Sequence, residues 1–569
     1  MPKTDITVRE LVDKVLRGEL ILPEMQRRYV WPATRVRDLL DSLYRGYPSG
    51  TILVWETDEE VETRSVAVHA TNTPTTSQKL LLLDGQQRIT SLSAMLEGQP
   101  VHVRNRKRSI EILFNLEHPE GPPTEVMEVD QSDFNPDMDE MEDENNAERD
   151  IQEELRKRTF VVSGRALKND PVWVPVADIF KNDHSEILQK TGVTSLTDPK
   201  YKLYSSRLQK VRNIQNYQYV MQQLEKSMSY EEVTEIFVRV NSLGIKLRGS
   251  DLALAQITAK WRGFMGLLEE FAEQFDDNEE YILESGLPIR LMVALATHQS
   301  KFKTVGKISL NSLKENFDKA KKGLEFAVNF LKGNGYIEKL GILSSPFLLI
   351  PLAVYAIEHD EHLSPEEHNK MLRWFYYAHM HGHYSMGSSE GILDADLSVL
   401  FKKKNLDALT DRLLQHVKKL EVDPSDIAGR SFRSPLFSML YIVSKANGAK
   451  DWKSGLALSD EHLGKAHQIQ YHHIFPKSLL KVAGYDKMMI NDFANLAFIG
   501  GKTNRQITNK KPEEYLENEI IPKRGEDALT SQFVPLDRSM WKIENFPQFL
   551  AFRQKAIAMA INEFMDRLS

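Results

Sequence analysis

Apolar and polar positions change their period several times along the chain. Over the first 120 residues, short runs switch between helical and extended spacing. "TVRELVDKVLRG" (7–18) repeats apolar residues at helical intervals, whereas "SGTILVWE" (49–56) predicts a strand. "KLLLLDGQQRITSLSAMLEG" (79–98) predicts a strand, a glycine turn and an amphipathic helix, and "SIEILFNLE" (109–117) a further strand. Two shorter strand-like pieces, "TFVVSG" (159–164) and "PVWVPVADIF" (171–180), come next. From about 200 to 430 the spacing is mostly helical. There "EEVTEIFVRVNSLGIKL" (231–247) sets Val233, Ile236, Phe237 and Val240 on one face before breaking at "NSLG". The last segment, from about 431, carries "IQYHHIF" (469–475) as a strand end. It closes on a helix, "PQFLAFRQKAIAMAINEFMDRL" (547–568). No fixed-period repeat is present.

This pattern predicts an α+β multidomain chain. An α/β domain would span 1–200, a helical middle domain 201–430 and a mixed domain 431–569. A length of 569 residues is too great for one core. No apolar run approaches the ~20 residues needed to span a bilayer. The start, "MPKTDITVRE", lacks the order of a secretory signal. With no cysteine there are neither disulfides nor thiolate zinc sites, and a cytoplasmic protein with no membrane contact is expected.

Charge changes the picture in one place. The net charge of -8 is not that of a bulk nucleic-acid binder, but residues 125–154 alone hold fourteen carboxylates against one arginine. Such a block stays solvated or disordered, and it reads as an insertion within the first domain or as the linker between its halves. Elsewhere the chain is near neutral, with basic clusters such as "VRNRKRS" (103–109), so any nucleic-acid surface must be local.

The candidate chemistry lies near the two ends. In "YHHIFPKSLL" (471–480), two adjacent imidazoles meet at the end of a strand that Pro476 cannot continue. Neutral imidazole serves as a metal ligand or as a general base. Downstream, "DFANLAFIGGKTNRQI" (492–507) gives Asn495, a short apolar strand, a Gly-Gly turn and Asn504 at a helix start. As plain structure, this is one core histidine, one surface histidine and two unrelated asparagines. The order His-His, Asn, Asn also resembles the HNH, or ββα-metal, nuclease motif. Its form here is similar to the C-terminal domain of GmrSD-type, modification-dependent (type IV) restriction enzymes. The resemblance implies that His472 and Asn504 hold a divalent ion, Mg²⁺ or Mn²⁺. It implies further that His473 activates the attacking water and that Asn495 fixes the loop behind it. HNH proteins often carry histidine at the last position, so Asn504 is a departure, and Asn509 is a weaker candidate ligand.

At the other end, "LLLLDGQQR" (80–88) puts Asp84 and Gly85 at a strand end and Gln86, Gln87 and Arg88 in the first turn of a helix, an arrangement suited to anions. With Gln26, Arg27, Tyr29 and Trp31 of "LPEMQRRYVWP" (22–32), the set resembles the ParB/sulfiredoxin-like N-terminal domain of the same proteins. That resemblance implies nucleoside triphosphate binding and hydrolysis at Gln26, Arg27 and Asp84 to Arg88. A structural network pinning the first strand to the turn is the plain alternative. Asn241 would close the pocket or simply end a helix.

Taken together, the resemblance implies an anti-phage DNA endonuclease that senses modified DNA and is regulated by a nucleotide. A homodimer would serve paired nicks. A nucleotide-dependent, ParB-like DNA-binding switch on an inactive HNH scaffold is the rival from another class. A secreted nuclease toxin is disfavoured by the missing signal. The three histidines of "HMHGHYS" (379–385) would share a face only if they lay on a strand.

Overall fold

The computed structural model describes residues 2–24, 26, 31–57, 63–65, 79–98, 110–121, 155–164, 167, 170–243, 249–274, 286–385, 387–403, 405–417, 419–459 and 469–568. The chain divides into two compact units, Met1–Leu267 and Leu268–Ser569. The acidic stretch at 125–154, together with Arg27 and Tyr29, lies outside the described residues.

The strands of the first unit are Lys3–Thr7 (β1), Leu20–Pro23 (β2), Ile52–Glu56 (β3), Thr63–Ser65 (β4), Leu80–Asp84 (β5), Ile112–Asn115 (β6), Phe160–Val162 (β7), Trp173–Pro175 (β8) and Gln218–Leu224 (β9). Six of them form a mixed sheet in the order β1-β9-β3-β5-β2-β4, and β7-β6-β8 form a smaller antiparallel one. Alternation along β3 and β5 explains why the large sheet is covered on both faces. Ile52, Val54 and Leu82 enter one core with residues of Val8–Leu16 (α1), Ala33–Arg45 (α2) and Gln86–Leu96 (α3). Leu53, Trp55, Leu81 and Leu83 enter a second core with Tyr230, Val233 and Phe237. Strand β9 falls within the stretch whose spacing is mostly helical, yet it lies between β1 and β3 in the sheet.

The second unit is mainly helical, with Leu310–Asn334, Pro365–Met380 and Phe546–Asp566 its longest helices. Within it, Ile469–His473 (β10) and Leu496–Gly500 (β11) pair antiparallel, and the helix Gly501–Ile507 begins directly after β11. Strand, strand and helix thus follow in the expected order. Among the described residues, no helix is long and apolar enough to cross a membrane.

Candidate functional site

The turn after β5 is held by its own side chains. Gly85 has φ 101°, and a Cβ there would sit 2.6 Å from Ile52 Cδ1, so only glycine fits without strain. Arg88 donates to the carbonyls of Ser49 (2.5 Å) and Thr51 (2.8 Å) and pairs with Asp84 at 3.1 Å. Gly50 leaves room for that guanidinium, since a Cβ there would collide with it. Gln26, a buried residue, donates to the carbonyls of Leu82 and Leu83 at the end of β5, at 2.6 and 2.7 Å. Gln87 accepts from the Trp31 N–H at 3.1 Å. Gln86 is buried at the start of α3. Gln26, Asp84, Gly85, Gln87 and Arg88 are therefore brought together around one strand end, and their described bonds pin neighbouring backbone. Asn241 lies in the last turn of the helix Tyr230–Leu243.

At the C-terminal element the geometry is closer still. His472 is buried, and its Nδ1 lies 2.9 Å from Asn504 Oδ1. Asn504 donates through Nδ2 to Gln470 Oε1 at 2.9 Å, which fixes the amide so that its oxygen faces the imidazole. On the far side of the ring, Nε2 lies 3.4 Å from the Tyr515 hydroxyl, which itself donates to the carbonyl of Ile474 at 3.1 Å. Trp452 and Tyr515 meet the ring edge-on, with centroids at 5.9 and 5.8 Å.

Two proton arrangements suit this geometry. In one, Nδ1–H donates to Asn504. In the other, Nε2–H donates toward Tyr515, and a bare nitrogen faces a bare oxygen. His472 Nδ1 and Asn504 Oδ1 are the two atoms that would hold a cation in the second arrangement, with Tyr515 in the supporting role usual for a ligating histidine. A divalent ion held there by one imidazole and one amide oxygen would keep waters and phosphate oxygens in its shell.

His473 is the last residue of β10 and projects to the opposite side of the strand from His472. Burial, then the charge of Lys477, then His472 hold its pKa at about 3, so the imidazole is neutral at pH 7. Burial also lowers His472, to about 4, against the bond to Asn504 Oδ1. Asn495 is fully buried behind the histidines. Its Oδ1 accepts from the Phe475 N–H at 2.9 Å, its Nδ2 donates to the carbonyls of Phe475 (3.1 Å) and Ile490 (3.3 Å), and its own carbonyl accepts from Ile474. Asn509 lies beyond the helix and is exposed, so Asn504 is the asparagine that meets His472.

Similarity to known proteins covers the first unit most clearly. Residues 8–258 match the family model of the GmrSD restriction endonuclease N-terminal domain. The GmrSD match ends close to the end of the first compact unit and supports a GmrSD-like assignment of that part of the chain. An uncharacterized protein of Methanocaldococcus jannaschii, MJ0686, is 22% identical over 627 aligned positions, covering 98% of this chain and 98% of its own length.

The C-terminal element owes its shape to residues the sequence did not single out. Asp451 accepts from the Gly500 N–H (2.6 Å), Thr503 (2.7 Å) and Ser454, tying the end of β11 to the following helix. Burial pushes its carboxyl up, but these bonds outweigh that and hold it below the usual carboxylate range. Gln532 caps the Phe498 backbone in both directions. Arg553, fully buried, donates to the carbonyls of Ala494, Leu496 and Gln532, and burial lowers its pKa to about 9. Each is a single polar residue far along the chain from what it holds, and local spacing carries no sign of that.

The histidines of "HMHGHYS" diverge. His379 accepts from the Ser344 N–H, His381 approaches the carbonyl of Leu420, and His383 meets Asp396 at 2.7 Å.

Proposed function

We propose that the chain is an anti-phage DNA endonuclease in which the strand–strand–helix element hydrolyses phosphodiester bonds with a divalent ion. The observation that carries this reading is the 2.9 Å approach of His472 Nδ1 and Asn504 Oδ1 at the end of β10, directly before His473. His472 and Asn504 would hold Mg²⁺ or Mn²⁺, which supplies charge to offset the phosphate oxygens. His473, neutral at pH 7, takes the proton of the attacking water. Asn495 fixes the backbone that follows His473, so the imidazole keeps its aim. The DGQQR turn, with Gln26 and Arg27, would bind and hydrolyse a nucleoside triphosphate and license cleavage of DNA carrying modified bases. The GmrSD match to residues 8–258 supports the restriction part of this reading.

A second reading keeps the nucleotide-dependent DNA binding and makes the HNH element an inert scaffold. In it, the contact of His472 with Asn504 is a plain hydrogen bond that needs no ion.

Incubation with plain and modified phage DNA, with and without Mg²⁺, Mn²⁺ and each nucleoside triphosphate, tests both. The first reading expects metal-dependent cleavage that a His473→Ala variant lacks while it keeps its fold. Cleavage by that variant at the full rate refutes the role of His473. No cleavage by the parent under any condition, with nucleotide-dependent DNA binding retained, favours the scaffold.

A further inference from the structure

A cleft of about 120 Å³ opens on the flank of the Gly501–Ile507 helix that does not face His472. Lys453, Lys502, Gln506 and Lys523 stand around it, with Asp451 and Thr503 among its walls. The charges differ in what they are committed to. Lys453 is paired with Glu519 at 2.7 Å. Asp451 is turned inward, its two oxygens receiving the N–H groups of Lys453, Ser454 and Gly500 and the hydroxyls of Ser454 and Thr503. Lys502 and Lys523 are exposed, and among the described residues neither meets a carboxylate. The cleft thus offers two uncommitted ammonium groups over a carboxylate already saturated with donors, which suits an anion.

Its position ties it to the candidate centre. Thr503 lines the cleft and Asn504, the next residue of the helix, meets His472. Ile469 lines it too, and Gln470, the next residue of β10, holds the Asn504 amide. Neighbouring residues of one helix and one strand thus line the cleft and build the candidate centre, which sets the two side by side.

Resting on the nuclease reading above, we propose that this cleft seats a backbone phosphate of the bound strand one or two nucleotides from the scissile bond, with Lys502 and Lys523 as its counter-charges. The interaction is with phosphate alone, so it acts on every sequence equally.

The test uses a labelled duplex and the full chain carrying His473→Ala, in chelator so that nothing is cut. Anisotropy is followed from roughly 50 to 300 mM salt. Lys502→Glu with Lys523→Glu should weaken binding about tenfold or more at low salt. It should also flatten the salt dependence by roughly 0.9 unit of log–log slope, the share of the one phosphate that is no longer neutralised. Lys502→Gln with Lys523→Gln should give the same change, smaller. Lys319→Glu with Lys322→Glu, an equal charge change on the Leu310–Asn334 helix, should leave the slope unchanged. Unchanged binding in the Lys502/Lys523 variants, or an equal weakening in the Lys319/Lys322 control, overturns the proposal and leaves the nuclease reading standing. If the parent binds no duplex, plain or modified, with or without each nucleoside triphosphate, the nuclease reading falls as well.

Discussion

Replacing Asn495 by alanine tests whether one buried amide holds the loop behind the histidines. The side chain makes three hydrogen bonds to backbone: one from the Phe475 N–H and two to the carbonyls of Phe475 and Ile490. Asn495 is fully buried, so water does not readily replace the missing amide. Leaving a buried backbone group without a partner costs ~1–3 kcal/mol. Three such groups set a floor of about 3 kcal/mol, and partial relaxation keeps the total near that floor rather than at the upper sum. At ~1.4 kcal/mol per decade, 3 kcal/mol is a roughly 150-fold change in an opening equilibrium. Amide hydrogen exchange read on peptides covering 474–476 should therefore quicken by about two orders of magnitude, while peptides of the first unit keep their protection. An Asn495→Asp variant sharpens the point, because its carboxylate would face two carbonyls. Its folded pKa would be raised above the ordinary ~3.9, so the penalty is full at neutral pH and shrinks as acid protonates the group. Exchange at Phe475 that rises less than tenfold in the alanine variant would show that the amide does not hold this loop.

Three further outcomes follow from the same geometry. Arg88→Lys keeps the charge but loses the fork that reaches Ser49 and Thr51, so the first unit should lose about 1–3 kcal/mol and melt several degrees lower. An unchanged melt with nucleotide binding abolished would instead give Arg88 to the nucleotide. Burial holds His379 at a pKa of about 4. The unfolded chain takes up a proton below ~6.5 that the folded one refuses, so stability is full above that pH and declines as the pH falls toward 4. The decline amounts to about 3 kcal/mol. A His379→Gln variant, which keeps an acceptor for the Ser344 N–H, should lose that slope in acid titrations of denaturant midpoint. Asp451→Asn turns an amide N–H against donors, and should destabilise the β11–helix junction by about 2 kcal/mol or more. Its stabilising effect in the parent is complete above the usual carboxylate range and is lost as acid protonates the group, so variant and parent should converge at low pH.

Much of this fold was legible because local pattern and long-range structure agree. β3 and β5 are continuous apolar runs, as strands covered on both faces must be. β10, β11 and the helix after them were readable from the His-His-Pro end, the apolar run and the Gly-Gly turn. β9 was not. Its sequence, "QYVMQQL", carries three glutamines, which suit a helix as well as a strand, and only its partners β1 and β3 decide between them. The approach of His472 to Asn504 was legible as a motif. The parts played by Asp451, Gln532, Tyr515 and Arg553 were not, because a buried polar residue reveals its role only through backbone groups it meets from afar. For Gln26 and Arg88, sequence left nucleotide and scaffold open, and the structure shows the carbonyls they hold.

The place of β9 between β1 and β3 has a consequence for how the first unit comes into being. The strand that joins Lys3–Thr7 to the rest of the sheet is made more than two hundred residues after them. At synthesis rates of ~5–20 residues per second, the wait is roughly 10–40 s. Until then the open side of β3 is a bare row of backbone donors and acceptors, the kind of edge that recruits other chains. Expression fragments cut before Gln218 would keep that edge permanently, and those extended past Leu224 would close it.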